Sequence, residues 1–375
     1  MNIGLLLPRS VLYPSISFDI MDGLKAGLKK LDFDEAQVVT TSIGVAAKSE
    51  DIYASCEQLL FNGNDVIVGY MNPVSAEFVQ PLFESSGKTL IVLDSGYHFH
   101  SFEGKLPNVY FISLQGSLCS RLIVRKALAE GQNNFAFTCS FYDAGYRSPY
   151  AYAIATEEKG ASITYNHITP LQKADFTLEP LAQHLENNKD VALLTSFCGD
   201  MLEDFFREAA KFDSTSSCKT YGSGFTAEEL WLDKIPYPGY DWNCSIPWSL
   251  KIQSPENIEF VTTMENIKAD KANVFSLLGW EAALFITAMK KQSIDGLIVN
   301  SPRGAAFMNP NTGFSEAPVY YATVTKNEKT GNCHLENILE IIDFEEEREN
   351  LQQNIKAIKD TLTNSWLNAY ACLES

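Results

Sequence analysis

The sequence has no run approaching the roughly 20 apolar residues that span a bilayer, so direct membrane insertion is not expected. It also lacks the basic start, short apolar stretch and small-residue cleavage site of a secretory leader. Instead Ile3-Gly4-Leu5-Leu6-Leu7 runs straight into Pro8 and reads as a first core strand. The sequence as written points to the cytoplasm, and to the periplasm or cell envelope if a leader has been removed. Of eight cysteines none forms a CxxC pair, and their spacings match no zinc pattern. Thiols scattered through apolar stretches behave as small buried hydrophobes and fit a reducing compartment slightly better than an oxidising one. Basic residues are scarce: 29 Lys and Arg against 47 Asp and Glu leave a formal net charge of −18. Such a surface repels phosphate backbones and anionic headgroups, and no Lys/Arg cluster reverses this locally, so nucleic acid is excluded as a partner.

Catalytic and cofactor signatures are thin as well. There are five histidines, the GxSxG elbow is absent, and no Ser/His/Asp triad can be nominated. The stretch Gly222-Ser223-Gly224-Phe225-Thr226-Ala227 formally matches a dinucleotide fingerprint, but it falls late in the chain and no helix opens at its third position. His98 and His100 alternate, so a strand would place both on one face, yet two histidines without a third ligand make no metal site. No cofactor and no metal are expected. The chain reads as a binding protein and not an enzyme, with a small-molecule enzyme on the same fold as the less favoured alternative.

What is present suits two domains of ordinary globular composition, with 375 residues, 45% of them apolar and 20% charged. Short apolar runs alternate with amphipathic stretches. Strands are expected at Ile3–Leu7, Gln37–Thr41, Asp65–Tyr70, Thr89–Leu93 and Val109–Ser113, with helices over Ser15–Leu31, Glu50–Phe61 and Ser75–Glu84. In the first helix Ile16, Ile20, Leu24, Leu28 and Leu31 recur near helical spacing. The strands are continuously apolar, which indicates burial on both faces and a parallel sheet with right-handed crossovers. A second half repeats the pattern, with strands at Phe135–Cys139, Ser162–Ile168, Val191–Ser196, Lys219–Gly222 and Cys244–Leu250. Helices are expected over Ser148–Glu158, Leu178–Glu186, Met201–Lys211, Glu256–Ala269 and Asn273–Lys291, and Trp231–Trp242 reads as coil. Late strands follow at Ala317–Lys326 and Ile338–Phe344. From Glu345 onward one charged helix carries Leu351, Ile355, Ile358, Leu362, Trp366 and Tyr370 on a stripe, packing on its own domain or on a partner chain. The fold class is α/β, two Rossmann-like lobes with parallel sheets, and ligands of such sheets bind beyond the carboxyl ends of the strands.

Several local motifs, taken in order, resemble a known family. They are Ile3-Gly4-Leu5-Leu6-Leu7-Pro8 with Asp22-Gly23-Leu24, Asp65-Val66-Ile67-Val68-Gly69 leading to Asn72-Pro73-Val74-Ser75, and Asp143-Ala144-Gly145-Tyr146. Later come Ser301-Pro302-Arg303-Gly304, Asn309-Pro310, Thr312 and Pro318-Val319-Tyr320. Over roughly Met1 to Phe344 the chain resembles the type 1 periplasmic binding proteins, in their leucine/isoleucine/valine and amide-binding branch that serves ABC transporters. The resemblance implies two lobes joined by a three-strand hinge: residues 1–114 with 245–315, and 115–244 with 316–344, followed by a helical extension over 345–375. It implies capture of a small-molecule ligand, an amino acid, amide or related acid, by hinge closure. It also implies delivery to an ABC transporter permease, with a ligand sensor closing onto a partner as the alternative.

The same resemblance nominates ligand-binding residues. Ser75 stands at a strand-to-helix turn, where its hydroxyl serves as N-cap, as receiver of a ligand carboxylate, or both. Asp94, Ser95 and Gly96 follow a strand end whose loop faces the ligand in the family, with Asp94 a departure from the expected small residue. Tyr13 lies in the loop after the first strand, and Tyr142 and Tyr146 flank the position of a cleft tyrosine. Phe197, Phe225 and Thr226 follow two strands of the second lobe, as packing or as ligand contacts. The family's amino-acid binders place an acid after the strand equivalent to Lys219–Gly222. Here the loop reads Gly224-Phe225-Thr226, with Glu228 two residues later, which weakens the case for an α-amino acid.

Overall fold

A computed structural model of the chain describes residues 1–33, 36–45, 47–141, 148–170, 172–222 and 224–358. The first part alternates β1 (Asn2–Arg9), α1 (Ile16–Lys30), β2 (Gln37–Val45), α2 (Ser49–Phe61), β3 (Val66–Tyr70), α3 (Pro73–Ser86), β4 (Thr89–Asp94) and β5 (Val109–Ser113). These strands form a five-stranded parallel sheet in the order β2-β1-β3-β4-β5. Every residue of β3 and β5 is buried, as continuous apolar runs require when helices cover both faces. On α1, Ile16, Ile20, Leu24 and Leu28 are all buried, each contributing on the order of 1.5–3 kcal/mol.

The chain then crosses to a second sheet through α4 (Gly116–Ala129), β6 (Asn134–Cys139), α5 (Ser148–Glu158), β7 (Ser162–Ile168) and α6 (Glu179–Asn187). It continues through β8 (Ala192–Ser196), α7 (Asp200–Ala209), the short α8 (Asp213–Ser216), β9 (Thr220–Gly222), the short α9 (Glu229–Leu232) and β10 (Trp242–Ile246). Next α10 (Pro255–Glu265) and α11 (Val274–Met289) return to the first sheet, where α11 lies along α1. The two backbones approach closely. A methyl group on Gly23 would sit 2.0 Å from the Ser276 carbonyl oxygen, so the Asp22-Gly23-Leu24 motif serves this helix contact.

After α11 come β11 (Ile298–Ser301), β12 (Gly304–Met308), β13 (Ser315–Glu316), β14 (Tyr320–Lys326), β15 (Cys333–Glu340) and α12 (Glu345–Ile358). The second sheet has seven strands in the order β15-β14-β10-β9-β8-β6-β7. Strands β10, β9, β8, β6 and β7 are parallel, whereas β14 runs antiparallel to both its neighbours, β10 and β15, so this sheet is mixed. The chain therefore passes between the sheets three times, after β5, after β10 and after β13. At the first passage Gln115 adopts a left-handed φ of 56° and donates from Nε2 to the Ala317 carbonyl at 2.7 Å, joining it to the third.

Four readings need correction. Residues 298–316, where the sequence reading assigns no strand, form a three-stranded antiparallel sheet β11-β12-β13 whose first hairpin turns at Pro302-Arg303. The segment taken as coil up to Trp242 includes α9, and the strand expected over Cys244–Leu250 begins earlier and stops at Ile246. The strand expected over Ile338–Phe344 starts at Cys333, because a tight turn closed by Asn327 and Gly331 sends the chain straight back along β14. Alternation hides it from a search for continuous apolar runs: Cys333 and Leu335 are buried, His334 and Glu336 are not.

Candidate functional site

The carboxyl ends of β1, β3 and β4 face those of β8 and β9, and Tyr13 is the residue that spans the gap. It is 3% exposed; its hydroxyl donates to Glu228 Oε2 at 2.9 Å and accepts the Gly199 N–H at 3.1 Å. Its ring stands edge-on to Phe275 at 4.9 Å and contacts Phe225 and Trp231, both at 6.3 Å. Tyr97, from the loop after β4, lies 5.4 Å from the same Phe225 ring. The structure thus brings Tyr13 and Phe225 together, with Tyr97 and Glu228 beside them.

The remaining nominated residues take varied places. Asp94 and Ser95 are buried; Asp94 Oδ2 accepts from the Ser113 hydroxyl at 3.1 Å, and the Ser95 and Gly96 carbonyls accept from the N–H groups of Gly116 and Ser117. This loop is fastened to the first crossing between the sheets. Gly96 has φ of 77° and a methyl there would meet the Gln115 nitrogen at 2.5 Å, so only glycine fits. The Phe197 ring is fully buried in the second-lobe core, stacked on Phe205 at 4.5 Å, and its N–H donates to Thr226 Oγ1 at 3.2 Å. Thr226 is buried beside it and donates to the Thr195 carbonyl at 3.4 Å. Ser75 does not cap α3. The cap is Asn72, whose Oδ1 accepts the Ser75 N–H at 2.8 Å, while Ser75 Oγ lies 3.1 Å from Ser49 Oγ at the start of α2. Tyr142 and Tyr146 lie outside the described residues.

Glu228 is the residue undervalued from sequence. The 3-10 turn Gly224–Ala227 coils the chain after β9, so an acid displaced in sequence still arrives at the lobe edge. Burial pushes its carboxyl up to about 8, against the opposing pull of the Tyr13 hydrogen bond. Burial likewise raises the Tyr13 phenol, with Glu228 adding to it. Glu228 Oε1 is buried and makes no hydrogen bond, and it borders a void of about 30 Å³ that also meets Ser95, Tyr97, Phe225 and Asn273. A space of that size holds about one water.

The Ser301-Pro302-Arg303-Gly304 motif is a structural anchor next to the crossings. Arg303 and Glu281 of α11 are both fully buried and paired through Nε at 2.8 Å and Nη2 at 2.7 Å. Arg303 Nη1 also donates to the Ser113 carbonyl at the end of β5, and its own carbonyl accepts from the Tyr320 hydroxyl at the start of β14. Among the described residues no cluster of three or more His, Cys, Asp or Glu side chains could hold a metal, and His98 and His100 lie in a loop rather than on a strand. No helix among them is long and apolar enough to cross a membrane.

Comparison with known proteins agrees with this architecture. The structure superposes on a solute binding protein of an ABC transporter from Rhodopseudomonas palustris BisB5, in complex with 3,4-dihydroxybenzoic acid, with a TM-score of 0.73 and 18% identity. The match covers 92% of this chain and 98% of that one. An ABC transporter substrate-binding protein from Sphaerobacter thermophilus gives a TM-score of 0.76 at 15% identity, again over 92% and 98%. A leucine-, isoleucine-, valine-, threonine- and alanine-binding protein from Brucella ovis, in its closed conformation, gives 0.71 at 12% identity over 91% and 95%. No curated protein matches the sequence. At these identities the structural likeness establishes the fold. The sequence pattern of the periplasmic binding proteins, however, matches residues 1–332, and on that ground the chain belongs to the type 1 periplasmic binding protein family.

Proposed function

We propose that this protein captures a small organic molecule carrying a polar head, an amino acid, amide or aromatic acid, by closing two lobes around it. We take the lobes as residues 1–114 with 245–315 and residues 115–244 with 316–344, with the boundary after 244 moved to after Ile246 because β10 pairs within the seven-stranded sheet. The observation that carries the reading is the Tyr13–Glu228–Gly199 contact, made only when the two lobes meet. Ser95 and the second lobe's Phe225 border the same small void, which supports the usual division between orienting dipoles and apolar cover. Solved structures of the same fold support the ligand range: one holds 3,4-dihydroxybenzoic acid, another benzoate, and a third is a leucine-, isoleucine-, valine-, threonine- and alanine-binding protein. Family membership favours a periplasmic protein that hands its ligand to an ABC transporter permease, without bond making or breaking. A sensor whose closure is read by a partner is the second reading. It is favoured by α12, which lies beyond the matched residues and is tied to α4 of the second lobe and to the end of β13 at the third crossing.

A thermal-shift screen against amino acids, amides, aromatic acids, sugars and nucleosides tests this. A ligand bound only by the folded state adds about 2.7 kcal/mol at one hundred times Kd. A hit in one acid or amide class is expected, with a smaller radius of gyration in solution. No shift in any class, or chemical turnover of the bound molecule, would refute the reading.

A further inference from the structure

The extension α12 encloses a space of its own. Arg121 of α4, fully buried, donates to Glu347 at 3.1 Å and to Asn354 at 2.8 Å, and pairs with Glu158 of α5, fixing the helix to the second lobe. Arg348 donates to Glu316 at the end of β13, beside the third crossing between the sheets, at 2.9 Å. Arg348, Leu351, Gln352, Ile355 and Lys356 share one helical face, and all border a cavity of about 340 Å³. That volume suits a small ligand. The facing wall is aromatic: His100 stacks on Phe102 at 4.2 Å and on Phe314 at 5.3 Å. The cavity's lining includes Asp94 and Gly96 and the α12 residues, but not Tyr13, Phe225 or Glu228 of the seam.

Two polar groups in it are unanswered. Ser117, at the floor on α4, is 2% exposed and its hydroxyl has no hydrogen-bond partner. Leaving a buried hydroxyl unpaired is unfavourable, so an occupant with a matching group gains there. Lys356, exposed at the rim, makes no ion pair among the described residues. Two acids of the lining are engaged, Asp94 accepting from Ser113 and Glu316 from Arg348 and Asn309, and Glu103 is exposed to solvent.

We propose that this cavity is a second small-molecule site, separate from the cleft, for a hydroxylated planar aromatic carboxylate. The ring lies between Phe102 and Phe314 on one side and Leu351 and Ile355 on the other. The hydroxyl meets Ser117 and the carboxylate meets Lys356. Isothermal titration of the full chain with 6-hydroxy-2-naphthoate tests it. Binding is expected, weakened several-fold in Lys356→Ala for the acid but not for its carboxamide. Ser117→Ala should weaken the hydroxylated acid and not 2-naphthoate, and Leu351→Trp, which puts an indole where the ring is to lie, should weaken binding of both strongly. Lys356 is exposed, so its variant reports on the site even if Leu351→Trp folds poorly. No binding of the acid overturns the proposal, as does undiminished binding in folded Leu351→Trp, which would place the acid in the cleft.

Discussion

Raising the pH should loosen the seam between the lobes, and Glu228 is the group through which it acts. Its carboxyl is buried, bonded to the Tyr13 hydroxyl through one oxygen and to nothing through the other. Burial moves it from 4.5 to about 8, so the folded chain keeps a proton that the unfolded chain releases across that interval. The sign follows directly: protonation stabilises the fold fully below the unfolded value, and that stability is lost as pH rises through the folded one. At about 1.4 kcal/mol per unit, the displacement corresponds to roughly 4–5 kcal/mol by the upper end. Glu229 is pushed up to about 7, also by burial, and contributes in the same direction. The assay is the melting temperature in buffers from about pH 5 to about pH 9. The wild type should fall across this range. Glu228→Gln retains an oxygen that accepts from Tyr13 but cannot ionise, and should be flatter, leaving only the shallower fall due to Glu229. A wild-type melting temperature that rises with pH, or an equal slope in Glu228→Gln, would refute the reasoning.

Two further outcomes follow from the geometry. Arg303→Ala strands the fully buried Glu281 carboxylate and frees the Ser113 carbonyl, and should cost about 3–5 kcal/mol by denaturant titration, whereas an Arg303→Met, Glu281→Leu double variant should recover most of the loss. Ser75→Ala removes one hydroxyl contact and leaves the Asn72 cap intact, so it should cost under about 1 kcal/mol in stability while weakening the ligand found in the screen; unchanged affinity would mean that Ser75 only joins α2 to α3.

Where the chain is buried on both sides, its pattern was readable. The parallel strands β3, β4, β5 and β8 are short and continuously apolar, and α1 shows its stripe directly. Where one face meets water the signal weakened. The antiparallel β15 opens by alternating buried Cys333 and Leu335 with less buried neighbours, and β11 to β13 are short strands whose pairing is set by hairpin turns. Ser75 illustrates a different limit. Both Asn72 and Ser75 are good capping types, and only the backbone decides that the helix starts at Pro73, giving the cap to Asn72.

The site was legible as loops and not as contacts. Tyr13, Phe225 and the Asp94–Gly96 loop follow strand ends, which a parallel topology places at the cleft whatever their side chains do. Which side chains meet across it depends on the relative position of two lobes, a long-range quantity that local sequence does not carry. Phe197 shows the consequence: it follows a strand end, yet its ring turns into the second-lobe core. Glu228 shows the converse, an acid out of register in sequence that a 3-10 turn restores to the seam. Arg303 belongs with it, since its buried pairing with Glu281 joins a hairpin turn to a helix twenty-odd positions earlier in the chain. Such contacts concentrate around the three crossings, so the motifs near them report on how the lobes are held, and the residues that close the cleft must be sought among the unremarkable ones between.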